Sequence, residues 1–319
     1  MKKIFRYLFI AIGVVIVIAG GFAAFIAIRG IPTYTAEKIE LKVVSTPERI
    51  EKGHKLASML CKSCHMDPNT GKFTGRKMDE APQFGSIYSK NITNHPEFGI
   101  GKWTDGELAY LFRTGVKPDG TYLPPYMPKM VSLSDEDMQS LIAFLRSDHQ
   151  WLQADNTRQP DTKPSFLTKF LTNIGAMKPF PYPKSPIPEP DTTNPVAWGK
   201  YIALGQLECY TCHSLDFAKN DYFSPEKSPG FMGGGNTLIG MDGTKMKSRN
   251  ITMDEETGIG KWSEEDFIRA VKTGQMPGNQ PALRNPMQPY SNLTDDEVRA
   301  IFAYLKTVPK IKNHVDRGL

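Results

Sequence analysis

The 319-residue chain lacks a large charge of either sign. Lys and Arg number 39 against 34 Asp and Glu, a net of +5, and 39% of residues are hydrophobic, which excludes a disordered chain. A basic footprint for nucleic acid is missing as well. Residues 48–150 hold thirteen basic and thirteen acidic groups, and residues 192–309 hold twelve and fourteen. The excess sits at the ends, +4 over residues 1–47 and +2 over 310–319. Gly 27 and Pro 25 fall far below a collagen-like composition. After residue 28 no apolar run is long enough to cross a bilayer, so the chain is not a polytopic channel or pump. Nothing reads as a sheet. Cysteine is scarce, four residues confined to two short motifs.

One long apolar run is present. Lys2, Lys3 and Arg6 precede 22 uncharged residues, 7–28. As a helix this run would be about 33 Å long, enough for a bilayer core. The leading basic residues place the N-terminus in the cytoplasm and the remainder outside. A cleaved signal peptide is the competing reading, with an apolar stretch of about 7–15 residues and a small-x-small end. This run is longer and Arg29-Gly30 follows it. An uncleaved anchor is therefore expected, in the cytoplasmic (inner) membrane, with 29–47 as a tether to exported domains.

The cysteines occur as Cys61-Lys-Ser-Cys64-His65 and Cys209-Tyr-Thr-Cys212-His213. C-x-x-C-H is the attachment signature of c-type haem. Two thiols on about one helical turn add across the two vinyl groups, and the following His supplies an imidazole to the iron. A redox C-x-x-C pair would need no following His. One zinc shared by the four thiols would leave His65 and His213 unexplained, and so would structural disulfides. Two covalently bound c-type haems are expected.

The chain also repeats itself. Asn91-Ile-Thr is matched by Asn250-Ile-Thr, and Gly99-Ile-Gly-Lys-Trp103 by Gly258-Ile-Gly-Lys-Trp262. Arg113-Thr-Gly115 pairs with Lys272-Thr-Gly274, and Leu133-Ser-Asp with Leu293-Thr-Asp. The offset there is 159 or 160 residues against 148 for the haem motifs, so the second copy carries an eleven-residue insertion near Gly233-Gly-Gly235. The repeat selects the sixth ligand from fourteen methionines. Met127, before Pro128, and Met287, after Pro286, each lie six residues ahead of the matching Leu. Flanking prolines stiffen a non-helical strap that can present sulfur to iron. Met130 and Met276 have no Met counterpart: they align with Tyr290 and Lys117. His54, His95, His149 and His314 have no His counterpart and read as surface or loop residues.

Helices are expected around each motif. Thr104-Asp-Gly-Glu107 and Ser263-Glu-Glu-Asp266 open runs that stop at Gly115 and Gly274. Ser134 and Thr294 open another pair, and helices over 48–59 and about 195–204 precede the motifs. Gly53 and Gly199 lie inside those last two, at about 1 kcal/mol each relative to Ala, which suggests close helix packing. Trp103 and Trp262 are candidates for the haem edge, each indole N–H donating to a propionate. Lys90 and Arg249 are candidates for neutralising propionates. Residues 151–191 form a stiff, Pro-rich linker. Within it, 165–177 reads as a short amphipathic helix carrying Phe166, Phe170 and Ile174, expected between the domains, with membrane contact as the alternative. Residues 310–319 read as a solvated basic tail.

In this order, the motifs resemble the class I cytochrome c domains in the cytochrome subunits of bacterial membrane-bound alcohol and gluconate dehydrogenases. The resemblance covers 48–150 and 192–309. It implies an all-α fold: two tandem class I cytochrome c domains behind a single N-terminal transmembrane helix. It implies His65 and Met127 on one iron, His213 and Met287 on the other. Those subunits commonly carry three haems, whereas this chain has motifs for two. The expected role is not that of an enzyme. It is single-electron transfer between a membrane-bound dehydrogenase or quinol-oxidising complex and a terminal oxidase or soluble cytochrome. The alternatives are a dihaem peroxidase or thiosulfate-oxidising enzyme, which needs an open sixth position, and a haem-based sensor or assembly partner.

Overall fold

The computed structural model describes residues 2–278 and 280–316. Its helices are α1 (Lys2–Arg29), α2 (Pro47–Leu60), α3 (Lys62–His65), α4 (Asp105–Thr114), α5 (Asp135–Leu145) and α6 (Phe166–Asn173). They continue with α7 (Pro195–Tyr201), α8 (Cys209–His213), α9 (Glu264–Thr273) and α10 (Asp295–Leu305). The expectation of a wholly helical fold is corrected by two antiparallel ribbons. β1 (Gly85–Ser86) pairs with β2 (Lys163–Pro164), and β3 (Thr237–Ile239) with β4 (Lys245–Lys247). Strands of two or three residues are too short to show a period of two in the sequence.

The helix ends follow their capping residues. Thr46 accepts a hydrogen bond from the Arg49 N–H, with Pro47 opening α2. Thr104 and Glu107 form a reciprocal capping box, and α4 stops at left-handed Gly115, φ 81°. Ser263, Asp266 and Gly274, φ 76°, repeat this on α9. Thr294 and Glu297 box α10, while Ser134 caps α5. In the second copy the entry helix departs from expectation. Regular α-helix ends at Tyr201, and residues 202–206 continue as a wider π turn.

Each domain is built on one tight crossing, α2 on α5 and α7 on α10. A Cβ added to Gly53 would stand 1.9 Å from the Ser140 carbonyl oxygen. At Gly199 it would stand 1.8 Å from that of Ala300. These glycines let the backbones touch. Leu56, Leu141 and Phe144 seal the first crossing, Ile202, Ile301 and Tyr304 the second, and all are buried. The two sets belong to one continuous apolar core.

A buried carboxylate joins the halves. Asp137 accepts from the Tyr201 hydroxyl at 2.5 Å and the Gln206 amide at 2.7 Å, and Lys52 lies 2.7 Å from its other oxygen. Tyr201 in turn accepts from the Ser134 N–H at 2.9 Å. Lys55 adds an ion pair to Glu297 at 2.5 Å. The connecting segments are stapled down as well. Tyr34 N–H donates to Gly120 and Val43 N–H to Asp105, each at 2.9 Å, so residues 31–43 run along the first domain. Asn91 donates to the carbonyls of Asp155 and Thr157 at 2.8 and 2.9 Å. Its repeat mate Asn250 donates to Ile311 at 2.7 Å, tying the start of the basic tail to the second domain. Helix α6 itself seats on α1 and the first domain, while Met177, at the end of the expected 165–177 segment, shares a cluster with Phe217 of the second domain. Thr168 and Thr172 are the buried residues of α6, and Phe170 meets Phe22 of α1 edge-on at 6.5 Å.

Candidate functional site

The first C-x-x-C-H motif begins where its entry helix ends, and the second follows the π turn, with Leu207 and Glu208 between them. Cys61 closes α2, and the short turn of α3 carries Cys64 and His65. The His65 Nδ1 lies 2.8 Å from the Lys90 carbonyl oxygen. A carbonyl can only accept, so Nδ1 carries the proton and Nε2 keeps a lone pair. The second copy repeats this at 2.8 Å between His213 Nδ1 and the Arg249 carbonyl. Burial pushes both imidazoles below the ordinary histidine pKa, so they stay neutral. A neutral imidazole with Nδ1–H fixed on an outer acceptor is the form a metal-ligating histidine takes. Gly75 and Gly234 N–H groups donate to the His65 and His213 carbonyls at 2.9 and 2.7 Å. Both glycines have positive φ, and a Cβ on Gly75 would strike the Ser89 carbonyl oxygen at 2.2 Å.

Lys90 and Arg249 thus address the histidines through their carbonyls, which residue type could not reveal. The Lys90 amine donates to the Pro160 carbonyl at 2.7 Å and lies 3.8 Å from Asp161. Arg249 donates to Gln280 at 3.1 Å and borders the cavity of the second domain.

That cavity brings together Cys209, Cys212, His213, Trp262, Met276 and Met287. Ile251, Ile259, Val271 and Leu305 are among its walls. Two thiols, an imidazole and thioethers converging on an apolar chamber fit a covalently attached haem. Met276, 6% exposed, borders the chamber as well as Met287, although the repeat singles out Met287. Trp103, half-buried, packs against the core of the first domain. Of the remaining histidines, His54 meets Trp151 at a tilt and His149 meets it edge-on, at 4.7 and 4.9 Å between ring centroids. His95 caps a turn by accepting from Glu97 and Phe98 N–H at 3.1 Å.

The two Met straps share one frame. Leu123 N–H donates to Gly115 at 2.8 Å and Leu283 N–H to Gly274 at 2.7 Å. Met127 and Met287 N–H donate to Pro124 and Arg284 at 3.2 and 3.1 Å. Met130 and Tyr290 N–H donate to Phe112 and Val271, both at 2.8 Å. A basic residue on the preceding helix pairs with the acid after each strap. Fully buried Arg113 holds Asp135 at 2.8 Å, and the Lys272 amine holds Asp295.

The straps differ at one place the sequence reading passed over. Buried Lys129 donates to the carbonyls of Leu123, Pro124 and Met127, the last two at 2.9 and 2.7 Å. Three acceptors call for three N–H donors, so the group sits there as an ammonium. Burial pulls its pKa down, and the carboxyl of Glu208 from the other domain opposes that shift. The repeat places Pro289 at the matching position. Lys129→Met should therefore destabilise the first domain by about 2–4 kcal/mol. A haem bound in that domain should also show a lower potential; denaturant melts and a potentiometric titration read the two effects.

Two domains that each present an oriented neutral His after two thiols, the second with methionines bordering the same apolar chamber, define a c-type haem protein. The cytochrome c family model matches residues 50–148 and 196–309, and the chain belongs to that family. It is 30% identical over 273 residues to the cytochrome c subunit of a quinone-dependent alcohol dehydrogenase from Gluconacetobacter polyoxogenes, covering 82% of this chain and 56% of that protein. It is 29% identical over 278 residues to a fructose dehydrogenase cytochrome subunit from Gluconobacter japonicus, covering 82% and 52%. A diheme cytochrome c-type protein of Cereibacter sphaeroides is 26% identical over 261 residues, covering 79% and 83%. The chain thus spans about half the length of the two dehydrogenase subunits.

Proposed function

We infer that the chain is a membrane-anchored dihaem electron carrier. Its haem domains are 48–150 and 192–309. Cys61 and Cys64 hold one haem and Cys209 and Cys212 the other. His65 and Met127 ligate the first iron, His213 and Met287 the second. The observation that carries this reading is the doubled arrangement of His Nδ1 on a backbone carbonyl together with a Met strap on a shared frame. When bound, haem supplies a one-electron iron couple, and a Met ligand raises its potential. The chain's own residues keep the imidazoles neutral and oriented, exclude water through the apolar walls, and hold sulfur in place. Trp262 and Arg249, which line the cavity of the second domain, are proposed haem-edge and propionate contacts, with Trp103 and Lys90 as their counterparts.

Helix α1 is long and apolar enough to cross a membrane. We assign it as a single-pass anchor in the inner membrane with both domains on the periplasmic face. The dehydrogenase subunits among the relatives support a membrane-bound dehydrogenase as donor. A quinol-oxidising complex would serve the same end, and a terminal oxidase or soluble cytochrome would take the electrons. Full-length protein should contain two haems per chain by pyridine haemochrome. Once reduced, it should pass electrons to an oxidised soluble cytochrome while turning over neither peroxide nor thiosulfate. Turnover of either would replace the carrier by the enzyme reading.

A further inference from the structure

Helix α6 wears its apolar residues outward. Phe166, Leu167 and Ile174 are 50%, 55% and 50% exposed, while Thr168 and Thr172 are buried. At about 100° per residue, Phe166, Leu167, Phe170, Leu171 and Ile174 fall within one continuous arc, with Thr168, Lys169, Thr172 and Asn173 opposite. The polar arc is turned to protein, although the Asn173 Oδ1 makes no hydrogen bond. Ser165 and Thr168 hydroxyls donate to the carbonyls of Gln83 and Phe84 at 2.9 and 3.2 Å, fixing the helix to the first domain. Lys169 donates to the Ala27 carbonyl at 3.1 Å and Asn173 to that of Gly30 at 2.8 Å. These carbonyls end α1, where the helix has no partners of its own to offer them.

The position along α1 decides what the apolar face meets. Phe170 packs on Phe22, six residues or about 9 Å before Ile28, the end of the apolar run. If α1 spans a bilayer, α6 lies at the depth of the outer acyl boundary. Interfacial helices bury an apolar face about 5–10 Å into that boundary. Exposed apolar side chains continuous with a spanning helix, beside a polar face turned to protein, match lipid and not water.

We propose that α6 is a membrane-interfacial helix whose Phe166, Leu167 and Ile174 enter the lipid beside the anchor and hold the first haem domain in one orientation on the bilayer surface. This rests on the reading of α1 as a transmembrane anchor. The domain is then a fixed platform and not a body swinging on a tether. Electron exchange is confined to the faces this pose leaves open.

Site-directed spin labelling tests the proposal, because the four native cysteines are taken up by haem. Leu167→Cys, Ile174→Cys, Val15→Cys and Val44→Cys variants of the full-length holoprotein are labelled with a nitroxide. They are placed in nanodiscs of phosphatidylethanolamine and phosphatidylglycerol. Power saturation compares collisions with oxygen, which enters lipid, and with a water-soluble nickel chelate. Labels at 167 and 174 should show an oxygen-to-nickel ratio several-fold above that at Val44, a residue 65% exposed on the tether, and below that at Val15. Ratios at 167 and 174 equal to that at Val44, with Val15 in lipid, would overturn the interfacial helix and leave the anchor standing. A watery reading at Val15 would overturn the anchor and this inference together. Dipolar broadening between labels at 167 would mean that a second copy covers the face, and would also overturn it.

Discussion

Gly53→Ala should cost the first domain about 3–5 kcal/mol, and Gly199→Ala should do the same to the second. The new methyl carbon would stand 1.9 Å from the Ser140 oxygen and 2.7 Å from Phe144 Cβ. In the second domain it would stand 1.8 Å from the Ala300 oxygen and 2.8 Å from the Ile301 nitrogen. Neither neighbour is the far end of a flexible side chain, so the helices must separate and open the core they seal. Ala is the better helix former by about 1 kcal/mol, and on an isolated helix the substitution would stabilise. The crossing reverses that sign. For a domain of about a hundred residues the loss corresponds to a fall in Tm of roughly 15 °C or more. Thermal melts followed at the Soret band check it. Gly20→Ala on α1, where a Cβ meets nothing within 4 Å, is the control and should leave the melt unchanged. A Gly53→Ala protein that melts with the control would mean that α2 and α5 do not touch through their backbones.

Met127→Ala and Met287→Ala should each remove one of two near-infrared Met–iron charge-transfer bands and lower the potential of one haem. The fall should be on the order of 0.1–0.3 V, since axial ligands move haem potentials over about 0.8 V. Each variant should keep both haems, because attachment rests on the cysteines. The second site offers a sharper contrast. Met276 and Met287 both border the cavity, yet Met287 alone has a counterpart in the first copy. Met276→Ala should therefore leave the band intact while Met287→Ala removes it. The reverse result would give the second iron a ligand outside the repeat. Potentiometric titration of the three variants measures this directly.

What the sequence disclosed was whatever leaves a local signature. The boxes at Thr104/Glu107 and Ser263/Asp266 and the stops at Gly115 and Gly274 were readable because each cap is satisfied within a few residues. Gly53 and Gly199 were readable as close contacts because a mid-helix glycine is costly and here occurs twice. The ribbons escaped, since β3 and β4 hold three residues each around the turn at Gly240–Gly243. The acceptors of the histidine N–H groups escaped because they are backbone carbonyls, and every residue type has one. Residue type drew notice to the side chains of Lys90 and Arg249 and could say nothing of their carbonyls. Lys129 escaped for the opposite reason. A lone lysine in a loop reads as solvated, and only the fold gathers three strap carbonyls around it. The seat of α6 against α1 joins residues more than 140 apart, a distance no local pattern spans.

The proposed carrier needs two six-coordinate haems, each held by one His and one Met. Absorption spectra of the purified full-length protein, oxidised and reduced and then exposed to carbon monoxide, test it most directly. The expected result is a Met–iron band in the near infrared from both haems and no spectral change with carbon monoxide. A band from one haem alone, or a reduced haem that binds carbon monoxide, would show an open iron and contradict it.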